Sequence, residues 1–114
     1  MKKIILILLI MIVILVITVS VFIEINNKRE SKSYQISIID STFSPNKLKI
    51  KKEDTVIWTN LETSIQSITP DVNDDLKGNI LSFEQKFNHT FHKSGIYRYH
   101  NEYNKNMSGI IIVE

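Results

Sequence analysis

The side chains in this 114-residue sequence that could do chemistry are few. Cysteine is absent, which excludes disulfides, thiolate metal ligands, lipidation at sulfur and cysteine nucleophiles together. His89, His92 and His100 are the only imidazoles. His92 or His100, joined to Glu102, would offer the imidazole and carboxylate donors that copper takes at a protein surface. His89 shares the strand parity of Phe87 and Phe91 and reads as a packed histidine rather than a ligand. Asp71, Asn73 and Asp75 are spaced like the opening of a calcium loop. Leu76, however, stands where that loop needs glycine, and Ser82 where it needs a bidentate glutamate, so calcium is not expected. Three glycines leave no phosphate-cradling loop. No nucleophile–base pair or carboxylate dyad stands out, and the chain is not expected to be an enzyme. Asn88-His89-Thr90 and Asn106-Met107-Ser108 match the glycosylation pattern and are read as chance.

The elements that must position these groups fall into two unlike parts. Eighteen of the 20 residues from Ile4 to Ile23 are apolar, broken only by Thr18 and Ser20. A helix of that length rises about 30 Å, the thickness of a bilayer's hydrocarbon core. Residues 1–23 therefore read as a transmembrane signal-anchor, with a cleaved signal peptide as the alternative. Lys2 and Lys3 precede the run, while Glu24, Lys28, Arg29 and Glu30 nearly cancel after it. The positive-inside rule then predicts a single-pass cell-membrane protein with its N-terminus cytoplasmic and its C-terminal domain extracytoplasmic. Residues 24–33 form a polar tether. From residue 24 onward 12 basic residues meet 12 acidic ones, which argues against nucleic acid as a partner.

Residues 34–114 alternate with period two between turn signals. Tyr34, Ile36 and Ile38 make one such face, Leu48 and Ile50 another, and Val56 and Trp58 a third. Lys47, Lys49 and Lys51, which alternate with Leu48 and Ile50, read as a solvated strand face. Gln66 and Ile68 follow, then an acidic loop at 71–78, then Phe87, His89 and Phe91, then Tyr97, Tyr99 and Asn101. Ile110 to Val113 is a continuous apolar strand, expected to be central. About seven short strands and no amphipathic helix predict an all-β fold, an antiparallel β-sandwich preceded by one transmembrane helix.

In order and in detail these segments resemble the cupredoxins, the family of plastocyanin and azurin. Phe43-Ser44-Pro45-Asn46-Lys47-Leu48-Lys49-Ile50 is similar to the family's second strand, and Asp54-Thr55-Val56-Ile57-Trp58-Thr59-Asn60 to its third. Phe87 to Phe91 with Gly95 to Tyr99 resembles the hairpin before the copper loop, and Met107-Ser108-Gly109 with Ile110 to Val113 the closing strand. Glu53 departs from the family's usual turn glycine. The resemblance implies a Greek-key sandwich over residues 34–114. It also implies that the four type 1 copper-ligand positions fall on Gln66, Asn101, Asn104 and Met107. Two imidazoles and a thiolate are thus replaced by carboxamides, and only the axial methionine keeps its type. No bound cofactor is expected at a site so changed; copper at a surface site remains the alternative. Strand parity points Gln66 and Asn101 inward, where unpaired amides would be costly, so they are expected to hydrogen-bond to each other or to loop backbone in place of a metal.

Two functions compete on this basis. One is a membrane-anchored, non-redox interaction or assembly module with an unidentified protein partner, contacted around Asn101–Asn106 and Ile65. The other is a copper-binding or electron-transfer protein with a non-standard site. A single helix followed by such a domain also resembles a reduced subunit II of a haem-copper oxidase, without its two-cysteine copper loop.

Overall fold

The computed structural model describes residues 1–72 and 75–114. Asn73, the middle residue of the acidic spacing, lies outside them. Two compact units result, Met1–Glu30 and Ser31–Glu114.

The first unit is the helix α1, Lys2–Asn27. It is long and apolar enough to cross a membrane, as a single-pass anchor or a signal sequence would be. The two hydroxyls inside it are not left bare. Thr18 Oγ1 donates to Leu15 O and Ser20 Oγ to Val16 O, each at 2.8 Å, so neither is left as an unsatisfied donor. The helix continues through Glu24-Ile25-Asn26-Asn27, four residues into the stretch expected to be tether. One more helical turn satisfies their backbone locally.

The second unit is a β-sandwich. Its strands are β1 Ser33–Ile39, β2 Thr42–Ser44, β3 Lys47–Ile50, β4 Thr55–Asn60, β5 Gln66–Pro70, β6 Asn79–Leu81, β7 Lys86–Thr90, β8 Gly95–Asn101 and β9 Asn104–Val113. One sheet has the order β2-β1-β4-β7, the other β3-β9-β8-β5-β6. The sandwich is not purely antiparallel, as alternation had suggested. β1 runs parallel to β4 and β3 parallel to β9, and a hydrophobic period of two carries no information about strand direction. β9 is paired on both sides, by β3 and β8, which accounts for its unbroken apolar run.

The predicted faces close on one another. Ile36, Ile38, Val56 and Trp58 from the first sheet are buried, as are Ile68, Tyr97, Tyr99, Ile111 and Val113 from the second. Leu76 leaves the otherwise polar loop to join this core. Aromatic rings fix its centre: Tyr99 meets Phe43 edge-on at 4.8 Å and Trp58 edge-on at 5.6 Å, and Trp58 stacks on Phe87 at 5.6 Å. Burial pushes the Tyr99 phenol well above its ordinary value. Trp58 offsets this slightly, although its Nε1 and the Tyr99 hydroxyl lack hydrogen-bond geometry. The Tyr99 ring lies against Gly109, where a Cβ would come within 2.2 Å of Tyr99 Cζ, so only glycine fits that position.

The register defines two poles. β1 and β4 end together at Ile39 and Asn60, β8 ends at Asn101 opposite Asn104, and β5 begins at Gln66 beside them. This is the amide pole. At the other pole Ser33 pairs with Thr55 and Gly95 with Val113. Asp54 is fully buried there and accepts the backbone N–H groups of Lys32 (2.8 Å) and Lys51 (3.0 Å), tying the incoming chain to the β3–β4 turn.

Candidate functional site

Period-two alternation along β8 buries Tyr97, Tyr99 and Asn101 and turns Arg98 and His100 outward. Asn101 therefore arrives at the amide pole fully buried, and Gln66, the first residue of β5, faces it at 7% exposure. The Asn101 amide group donates to Gln66 Oε1 and to Met107 Sδ (3.4 Å). Its carbonyl accepts from Ser67 N (3.0 Å), Ser67 Oγ (3.3 Å) and Tyr103 N (3.1 Å). Gln66 Nε2 in turn donates to Ser64 Oγ at 2.8 Å. The expected pairing of carboxamides is present, and it joins β5, β8, β9 and the turn after β8.

Two further residues that sequence reasoning passed over complete the pole. Ser67 is buried beside Gln66; its Oγ lies 2.9 Å from Thr69 Oγ1 and accepts Glu102 N at 2.8 Å. Asn60, given above only as the last residue of the segment similar to the family's third strand, is fully buried. It donates to Ser64 O and Leu81 O (both 2.9 Å) and accepts Glu62 N (2.8 Å). An asparagine closing an apolar strand face was the one available signal for it, since buried amides must be paired.

Above these groups lies a shallow depression of about 230 Å³, lined by Ser41, Ile65, Gln66, Asn101, Asn104 and Met107, with Ser64 and Tyr103. Asn104 reaches it without a side-chain hydrogen bond among the described residues. Ile65 and Tyr103 are half exposed at its rim, and Leu61 and Ile39 expose apolar surface at the same pole.

The surface histidines are dispersed. His100 Nδ1 lies 2.6 Å from Asp71 Oδ1 and its Nε2 2.7 Å from Glu102 Oε1. The hydrogen bond to Asp71, then that to Glu102, holds its pKa above the ordinary imidazole value. The two carboxylates engage opposite edges of the ring and do not converge on one point. His92 sits with Glu53 (2.9 Å), beyond the opposite end of β8, and is not brought to His100 or Glu102. The half-buried His89 ring packs edge-on against Phe91 at 4.6 Å, with Nε2 3.8 Å from Asp75 Oδ2. Asp71 and Asp75 thus face different histidines. Among the described residues no three His, Cys, Asp or Glu side chains are grouped to hold a metal ion.

The donors at the amide pole do not suit a type 1 copper ion. They are neutral oxygens and one thioether, with no imidazole nitrogen among them and no thiolate or other anion to offset the charge. Their lone pairs are also engaged, the Asn101 carbonyl by three donors and the Gln66 carbonyl by Asn101.

A family profile described as the cupredoxin-like domain matches residues 7–113. Among curated proteins, none matches. Solved structures that match include the reduced state of an amicyanin variant, 28% identical with a TM-score of 0.66, over 72% of this chain and 82% of amicyanin. The copper(I) form of a second variant is 27% identical with a TM-score of 0.68 over the same shares. The copper(I) form of a third is 26% identical with a TM-score of 0.67, over 78% of this chain and 88% of that one.

Proposed function

The chain belongs to the cupredoxin-like domain family, and on that premise we propose that it is a membrane-tethered, non-redox member acting through protein contacts at the amide pole. The observation that carries this reading is the Gln66–Asn101–Met107 cluster. At three of the four positions where the family's resemblance places copper ligands, a hydrogen-bond network joins the side chains. Electron transfer through such a centre needs a thiolate and imidazoles, and the pole supplies neither. A network of this kind rigidifies the loops after β8 and before β5 as a metal would, and leaves Ile65 and Tyr103 as an apolar rim for a partner.

The apolar helix α1 is read as an uncleaved anchor, with Lys2 and Lys3 cytoplasmic and the sandwich outside. Calorimetric titration of the full chain in detergent with copper(II) tests the redox-silent part. The expected result is no tight one-to-one uptake, with any weak binding abolished by His100→Ala. Stoichiometric binding that survives that substitution would overturn it.

A further inference from the structure

The sandwich is formally balanced in charge, but the balance is not uniform along its length. At the amide pole the end loops carry Asp40, Glu62, Glu84 and Glu102. At the opposite pole, where the chain enters β1, the turns present Lys32, Lys51, Lys52 and Lys93, all exposed. Hydrogen bonds place these lysines together. Thr55 N donates to Lys32 O (2.9 Å), Lys51 N and Lys32 N share the Asp54 carboxylate, and Glu53 N donates to Phe91 O (2.7 Å), two residues before Lys93. None of the four lysines is in an ion pair among the described residues. The carboxylates nearby are otherwise engaged: Glu53 with His92 at 2.9 Å, Glu114 with Lys49 at 3.0 Å, and Asp54 buried under backbone amides.

Only residues 28–32 separate the last residue of α1 from the first of β1. Fully extended, that connection spans about 20 Å. If α1 is membrane-embedded, covalent reach alone keeps the lysine-bearing pole within that distance of the bilayer surface, comparable to the thickness of the headgroup layer plus a Debye length of about 8 Å. The connection adds Lys28 and Arg29 against Glu30.

We infer that the pole formed by Lys32, Lys51, Lys52 and Lys93 is a docking surface for the anionic lipid headgroups of the membrane that holds α1. The inference rests on the anchor reading. Charge complementarity selects the ligand: a cluster of unpaired ammonium groups on turns at one pole, held at headgroup height, attracts lipids of net negative charge and gains little from zwitterionic ones. Its consequence is orientation, since a sandwich seated on this pole presents the amide pole away from the membrane.

The absence of cysteine makes the test direct, because a single introduced thiol is the only labelling site. Full-length Ser94→Cys and Thr63→Cys proteins, one label at each pole, are reconstituted in nanodiscs of phosphatidylcholine alone or with about one-third phosphatidylglycerol, chosen to supply several anionic lipids per docking surface. Label accessibility to an aqueous quencher is then read. The expected result is a several-fold protection of the Ser94→Cys label in anionic discs only, lost in high salt and lost with Lys51→Glu/Lys52→Glu/Lys93→Glu, while the Thr63→Cys label stays exposed throughout. Equal accessibility in both disc types, with the protein co-eluting with the discs, would overturn the docking surface and leave the anchor intact. Protein that fails to co-elute with either disc would overturn the anchor reading and the docking surface with it.

Discussion

Replacing Asn101 by alanine should cost more stability than any other single truncation at the amide pole. Asn101 is fully buried and makes five contacts with polar atoms. Ser67 N, in a buried bond, would keep no partner, at about 1–3 kcal/mol. Gln66 Oε1, on a residue only 7% exposed, would lose its donor for about 1 kcal/mol more. The emptied carboxamide volume adds about 1 kcal/mol. Tyr103 N lies near the surface, where water can replace the lost acceptor at little cost. The sum is about 4 kcal/mol, a large share of the roughly 5–15 kcal/mol that holds a domain together. Gln66→Ala should cost about 1–2 kcal/mol, because Met107 Sδ, a weak acceptor, remains for the Asn101 amide. The double variant should reveal a coupling of about 1 kcal/mol. Asn104→Ala, with no side-chain hydrogen bond to lose, should stay within about 0.5 kcal/mol. Denaturant unfolding of the full chain, followed by the fluorescence of the sole tryptophan, buried Trp58, measures all four. If Asn101→Ala and Asn104→Ala cost the same, or Gln66 and Asn101 are uncoupled, the network is not what closes this pole.

Two other perturbations follow from the geometry. The folded-state pKa of His100 is raised, by Asp71 first and Glu102 second, so its contribution to stability is full below the unfolded value of about 6.5 and is lost as pH rises through the higher folded value. Unfolding midpoints should therefore fall as pH rises above about 6.5, and His100→Gln should flatten that slope without altering the slope contributed by other groups. Gly109→Ala would drive a methyl into a Tyr99 ring that Phe43 and Trp58 hold from two sides, and should cost about 3 kcal/mol, read as a lower denaturant midpoint with an unchanged m-value.

What the sequence reveals here, and what it hides, divides by range. Alternation along one strand is local, so the inward sides of Val56, Trp58, Tyr97, Tyr99 and Asn101 can be read residue by residue, and the inward carboxamides imply partners. β2 and β6, at three residues each, are too short to show a period. Pairings across the fold leave no local trace: the parallel neighbours β1 and β4, the contact between Asp71 and His100 at a separation of 29 residues, and the attraction of His92 to Glu53 at 39. Sequence proximity sets His92 near His100 and Glu102, but β8 lies between them as an extended strand of seven residues, about 20 Å, and carries them apart. The buried polar residues Asp54 and Ser67 are equally silent in the sequence, because each serves backbone groups from other segments.

We propose that the amide pole stands where other cupredoxins hold copper, with a hydrogen-bond network in place of the metal ligands. Copper(II) titration of the full chain beside a Gln66→His/Asn101→Cys/Asn104→His variant, followed by visible absorption, tests it most directly. The account predicts a colourless wild type and a variant that takes up one copper with an intense thiolate charge-transfer band, Met107 standing ready as the axial donor. A wild type that itself binds one copper at this pole, or a folded variant as colourless as the wild type, would contradict it.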